Sequence, residues 1–217
     1  MIRSLILIGL VGAAQPGSAH PHIFIDAGLE VVFDAQGQAV AVRVSWVYDE
    51  FYSLMMIEDR QLDADHDGAL TPEEQLKLTG FDMEWDADYQ GDLFVLSQGQ
   101  PIALGRPSDF SASYAEGRIT STHLRALDTP VKPGDDPLIL QVYDPSYYTA
   151  YSVTAQPTLI GANPECLGQI FAPDRDVADA KLQAMLDEYT GQDAVEMEFP
   201  AVGAAYADEV RVICPEA

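Results

Sequence analysis

Positive charge is what this chain has least of. Lysine and arginine together number 11 against 35 aspartates and glutamates, a formal charge of −24 at pH 7. Phosphate backbones are held by Lys and Arg, so a nucleic-acid partner is excluded, as is an anionic membrane surface. Cysteine is nearly absent: Cys166 and Cys214 are the pair, with no C-x-x-C spacing. In an oxidising compartment two cysteines read as one disulfide; a pair of thiolate metal ligands is the other reading. No apolar run reaches the about 20 residues that span a bilayer. Ser-His-Asp, Cys-His and phosphate-loop patterns are missing too, so the chain does not read as an enzyme. What is present at the start is Arg3, the short apolar run Leu5–Val11 and the small residues Gly17-Ser18-Ala19. That order reads as a secretory signal over residues 1–19, with cleavage before His20. The expectation is one periplasmic domain over residues 20–217, with no membrane insertion after cleavage.

Twelve residues carry the sharpest signal. Asp63 to Glu74 reads D-A-D-H-D-G-A-L-T-P-E-E. Asp63, Asp65 and Asp67 fill the first, third and fifth places of an EF-hand loop, and Gly68 the sixth, where the chain must turn. Ala69 offers a carbonyl at the seventh place, Thr71 stands at the ninth, and Glu74 can close the loop as a bidentate twelfth ligand. Ca²⁺ takes six to eight oxygens, and this spacing wraps them around one point. The competing reading is a solvated acidic turn. The flanks fit helices: Phe51, Leu54 and Met55 share a face upstream, while Thr71, Pro72 and Glu74 form a capping box downstream, with Gly80 as a stop. An EF-hand-like helix–loop–helix insert is expected over residues 48–80. A lone hand of this kind more often braces a fold than senses calcium.

The rest of the chain alternates as β-structure does. Strands are predicted over 22–33 and 40–47, joined by a turn at 34–38, and then over 93–96, 101–104, 110–114, 119–124, 138–143 and 151–154. Past Pro164 the pattern changes to an amphipathic helix over 177–189 and a last strand over 209–214. Residues 164–217 form a segment that the disulfide ties back. The class is α+β and β-rich, an antiparallel sandwich-like sheet with the helical insert and a C-terminal helix.

Two of the four histidines, His20 and His22, flank Pro21 at the predicted new terminus. Two apart on an extended strand, their imidazoles share a face, and cleavage adds the His20 α-amine. Imidazole suits zinc, copper and nickel. Pro21 has no amide N–H to lose, which disfavours a square-planar amino-terminal chelate. An amine–imidazole chelate at His20 completed by His22 would resemble the copper brace of oxidative polysaccharide monooxygenases, though nothing else of that class is visible. A polar, frayed terminus is the plain alternative. His66 falls at a non-ligating loop position. His123 reads as a surface residue and is still the one further imidazole available. Asp49 reads as an N-cap and Asp144 as a turn residue, and each is a candidate remaining donor.

These residues together resemble a bacterial family of unknown function catalogued as the periplasmic component of an uncharacterised ABC-type transport system. The matching elements are His20-Pro21-His22-Ile23-Phe24-Ile25-Asp26, Trp46 with Asp49-Glu50-Phe51-Tyr52-Ser53, the 63–74 loop, Val142-Tyr143-Asp144-Pro145-Ser146-Tyr147-Tyr148, and Ala207 to Pro215. The resemblance implies an exported accessory protein handling Zn²⁺, or Ni²⁺, Co²⁺ or Cu²⁺, beside a metal permease or its solute-binding protein. The chain lacks the paired lobes of a solute receptor and its His-rich loop. A rival reading is a secreted, calcium-stabilised module that binds a protein or glycan through Tyr147, Tyr148 and Tyr151.

Overall fold

A computed structural model describes residues 21–188 and 201–215. Period-2 alternation builds its first hairpin. In β1 (Ile23–Phe33), Ile25, Ala27, Leu29, Val31 and Phe33 turn inward, and in β2 (Ala39–Tyr48), Val42, Val44, Trp46 and Tyr48 do the same. The turn between them is closed by Asp34, whose carboxylate accepts the N–H groups of Gln36 and Gln38. Gly37 supplies the positive φ of +72° that this turn needs.

Two short helices follow, α1 (Glu50–Asp59) and α2 (Pro72–Leu78). Asp49 caps α1 by accepting the Tyr52 N–H at 2.8 Å. Thr71 and Glu74 cap α2 reciprocally, with Pro72 opening the first turn. The helices are anchored at their inner faces. Ile57, Leu62 and Leu78 enter the core, and the buried Ser53 hydroxyl accepts the Ile119 N–H at 2.9 Å. Gln75 adds a two-way amide bond to the backbone of Tyr114.

After an irregular segment over 79–92 come β3 (Leu93–Ser97), β4 (Gln100–Ile102), β5 (Ser108–Ala115), β6 (Arg118–Val131), β7 (Leu138–Val142), β8 (Thr149–Val153), β9 (Thr158–Ile160) and β10 (Leu167–Phe171). Then α3 (Arg175–Glu188), α4 (Gly203–Tyr206) and β11 (Glu209–Ile213) complete the described chain. One sheet runs β5-β6-β2-β1-β8, with β9 also on β1, and the other runs β10-β11-β7-β3-β4. Inward residues of both, from Val44 and Ile119 to Leu140 and Val212, form one core. A satellite cluster of Ala178, Val202 and Tyr206 seats α3 on α4 and on Tyr147. Gly203 is obligatory there, because a Cβ would stand 1.7 Å from the Asp144 carbonyl oxygen.

The β-rich, two-sheet expectation is met, and the all-antiparallel one is not. β8 and β9 pair with β1 in parallel, so the first sheet is mixed. The chain crosses from β7 in one sheet to β8 in the other, and such crossovers are what parallel pairing requires. Two strands, β9 and β10, had no sequence signal. β10 is half exposed and takes its place by pairing with β11. Cys166 precedes β10, Cys214 follows β11, and the two are joined as a disulfide. The thiolate-ligand reading of these cysteines is thereby overturned.

The disulfide closes a loop of sequence separation 48. Replacing both cysteines by serine should lower unfolding stability by about 4 kcal/mol in the chain-entropy account, measured by urea denaturation.

Candidate functional site

The acidic loop between α1 and α2 is folded around its first residue. Asp63 takes a left-handed φ of +55°. Its two carboxylate oxygens accept the N–H groups of Asp67 at 3.0 Å and Gly68 at 3.1 Å. The Asp67 carboxylate accepts from Ala69 at 2.8 Å, and Gly68 turns at φ +81°. One ligand atom each from Asp63, Asp65 and Asp67 lies within 4.8 Å of the others. Glu74 reaches back over the loop, accepting from Ala64 N–H at 3.4 Å, Thr71 N–H at 2.9 Å and the Thr71 hydroxyl at 2.8 Å. Those Thr71 bonds hold its carboxyl below the usual range. Thr71 and the Ala69 backbone complete the twelve-residue turn, and His66 is exposed as expected.

The amino-terminal candidates are brought together only in part. His20 lies outside the described residues. His22 is exposed just before β1, its N–H donating to the Tyr148 carbonyl at 2.8 Å and its ring lying 4.6 Å from the Tyr148 ring. Asp49 is close by in the chain's pairing: besides capping α1, it accepts the Phe24 N–H at 2.9 Å. Asp144 is an Asx-turn residue, accepting from Ser146 N–H and hydroxyl at 2.8 Å and from Thr149 N–H at 3.0 Å. His123 is the clear correction. It is not on the surface but fully buried, edge-on to Trp46 at 4.8 Å and Trp85 at 5.3 Å. The register Leu29–Val44–His123 puts it seven positions along β1 from His22, roughly 20 Å at the strand rise. It does not share a site with the amino-terminal histidine. The Tyr147-Tyr148-Tyr151 contact surface is also dispersed: Tyr147 stacks on Tyr206, Tyr151 turns its hydroxyl inward, and Tyr148 stays exposed.

Sequence reasoning missed a buried polar and aromatic layer between the first sheet and the 79–92 segment. Asp82 accepts the hydroxyls of Tyr48 and Ser121. Asp92 accepts the Tyr151 hydroxyl at 2.8 Å, and burial beside the Asp92 charge pushes the Tyr89 phenol well above its ordinary range. Arg125 is buried, lies 4.8 Å over Trp85, and donates to the carbonyls of Gly105 and Gln90. Burial, with Arg125 and Arg43 adding repulsion, pushes the His123 imidazole down to about 3, so it is neutral. Among the described residues, Trp46 Nε1, Asp82 Oδ1 and both His123 nitrogens are buried without a hydrogen-bond partner. Only the Gly91-Asp92 turn before β3 marks this layer in the sequence.

Asp92 sets a pH dependence. Burial raises its carboxyl to about 6, with the Tyr151 hydrogen bond pulling the other way and the charge of Asp144 adding to the rise. The folded state therefore binds this proton more tightly than the unfolded chain. The stabilisation is complete below about pH 4 and is lost as pH rises through about 6, roughly 3 kcal/mol over the window. With a chelator present, Asp92→Asn should flatten this part of the stability–pH curve and stabilise the protein at pH 8. An unchanged curve in thermal melts would contradict the assignment.

A family model described as "Protein of unknown function (DUF1007)" matches residues 5–214, and the chain belongs to that family. No curated protein matches the chain.

Proposed function

We propose that this chain, from a family without an assigned function, is an exported divalent-metal-binding accessory protein that serves transition-metal acquisition or delivery and carries a structural calcium site. The observation that carries the reading is the convergence of Asp63, Asp65 and Asp67 inside a twelve-residue loop of EF-hand spacing. Calcium would draw oxygens from these three, from the Ala69 carbonyl, from Thr71 and from Glu74. Its effect is mechanical. The helices on either side reach the core through Ile57, Leu62 and Leu78 while the loop itself is exposed, so an ion at the loop joins two anchored helices.

The transition-metal role rests on His20 and His22, with the α-amine of His20 after signal removal. Zn²⁺ is the first choice, with Ni²⁺, Co²⁺ or Cu²⁺ also served by imidazole. Asp49 reaches the start of β1 through its bond to the Phe24 N–H, and Asp144 does so through Thr149, which pairs with Ile23. The client is a metal permease of ABC or other type, or its solute-binding protein. Export to the periplasm is supported by the disulfide. The described residues include no helix long and apolar enough to cross a membrane.

Calcium at about a hundredfold over its Kd should add roughly 2.7 kcal/mol of stability, read as a rise in melting temperature that Glu74→Gln removes. For the amino terminus, Zn²⁺ competition titration of correctly processed protein should show at least a tenfold weaker affinity in His22→Ala. Equal affinity after replacing both His20 and His22 would sink the transition-metal role and leave a calcium-stabilised module.

A further inference from the structure

Helix α1 shows solvent the face that a surface helix ordinarily buries. Phe51, Leu54 and Met55 stand at i, i+3 and i+4, a spacing that puts them on one side. Such an apolar side normally turns to the core. Here the core side is held by Ser53 and Ile57, both buried, and the Ser53 hydroxyl is tied to the Ile119 N–H. That bond fixes the rotation of the helix and leaves Phe51 75%, Leu54 52% and Met55 39% exposed. Single exposed apolar residues are ordinary, but three neighbours on so short a helix form a patch. The patch adjoins the start of β1. Asp49, which caps α1, donates its N–H to the Phe24 carbonyl and accepts the Phe24 N–H, both at 2.9 Å, and Phe24 is itself 54% exposed.

The charges around this patch are of one sign. Helix α1 contains no lysine or arginine, and Glu50, Glu58 and Asp59 are exposed at its ends. The nearest cation in the chain, Arg60, is held over the Phe81 ring at 5.6 Å and donates to the Phe81 carbonyl. The acidic loop lies just beyond. A second copy of this chain fits poorly: two α1 helices packed antiparallel would set Glu50 of each against Glu58 of the other, and like charges facing each other oppose association. An anionic membrane surface is repelled by the same groups. A partner with apolar side chains bordered by lysine or arginine meets both the patch and its rim.

We propose that the Phe51, Leu54 and Met55 face of α1 is a docking surface for a basic amphipathic helix of a partner protein. The inference rests on the client part of the function proposed above and names the chemistry the client presents. Helix α1 offers no strand edge, so recognition goes through side chains, packed as helix ridges pack. The partner's apolar stripe covers the three residues, and its basic border pairs with Glu50 and Glu58. The docked helix then lies beside the start of β1, the strand that His22 precedes.

The test uses the processed full chain in calcium-containing buffer and a labelled synthetic peptide of leucine and lysine in helical period, read by fluorescence anisotropy. Phe51→Ser and Leu54→Ser should each weaken binding about tenfold without lowering the melting temperature, since both side chains are exposed. Glu50→Lys combined with Glu58→Lys should weaken it about fivefold. A peptide of the same composition in scrambled order should bind at least about tenfold more weakly than the periodic one. His22→Ala and zinc removal should leave peptide affinity unchanged, so failure of the zinc role and failure of docking are read separately. Affinity indifferent to Phe51→Ser and Leu54→Ser, or equal for the scrambled peptide, would overturn the proposal. So would a dimer in sedimentation that Phe51→Ser dissolves, which assigns the face to a second copy. Co-flotation with phosphatidylethanolamine–phosphatidylglycerol vesicles, lost in Phe51→Ser, would overturn it in favour of a membrane.

Discussion

The pleat of β1, β2 and β6 is the constraint on which the rest of the molecule depends. Side chains alternate strictly along a strand, so one register decides every inward residue at once. With Leu29 opposite Val44 and Val44 opposite His123, the apolar residues of β1 and β2 meet the second sheet, and a one-residue slip would expose them all. The same register places Ser121, His123 and Arg125 on the inward face of β6. These polar groups are buried because their neighbours along the strand, such as Ile119 and Leu127, must be.

That burial has a cost the fold meets locally. A polar group leaving water needs a replacement partner. The 79–92 segment supplies several: Asp82 for Tyr48 and Ser121, the Gln90 carbonyl for Arg125, Asp92 for Tyr151. Trp85 covers His123 and stacks under Arg125 in the same stroke. A segment without regular secondary structure is thus held in one arrangement by the sheet face beneath it. The carboxylates it brings in are desolvated without an ion pair, and this is why Asp82 and Asp92 keep their protons more tightly than exposed aspartates.

The two metal-oriented regions sit on the rim of this frame and are built differently. The acidic loop is local: its hydrogen bonds span five residues or fewer, apart from the reach of Glu74 to Ala64. Its spacing, its capping box and its glycine were therefore legible in twelve letters. The amino-terminal candidates are non-local, and the fold separates what the composition grouped. Asp49 comes beside Phe24 at the start of β1, whereas His123 goes to the middle of the sheet's inward face. Counting histidines made His123 a candidate ligand; nothing in Thr122-His123-Leu124 says which way the ring turns. The parallel pairing of β8 and β9 with β1 was illegible for a related reason, since a pairing direction depends on where the chain re-enters the sheet.

By itself the sequence determined the strand alternation, the caps of α1 and α2, the shape of the acidic turn and the number of disulfides, because each rests on contacts between near neighbours or on a count of two. Tertiary structure alone decided that Asp92 and Tyr151 meet, that His123 is buried and neutral, and that the first sheet is mixed. Those outcomes depend on contacts between residues tens of positions apart, and only the packed sheets bring such residues within reach.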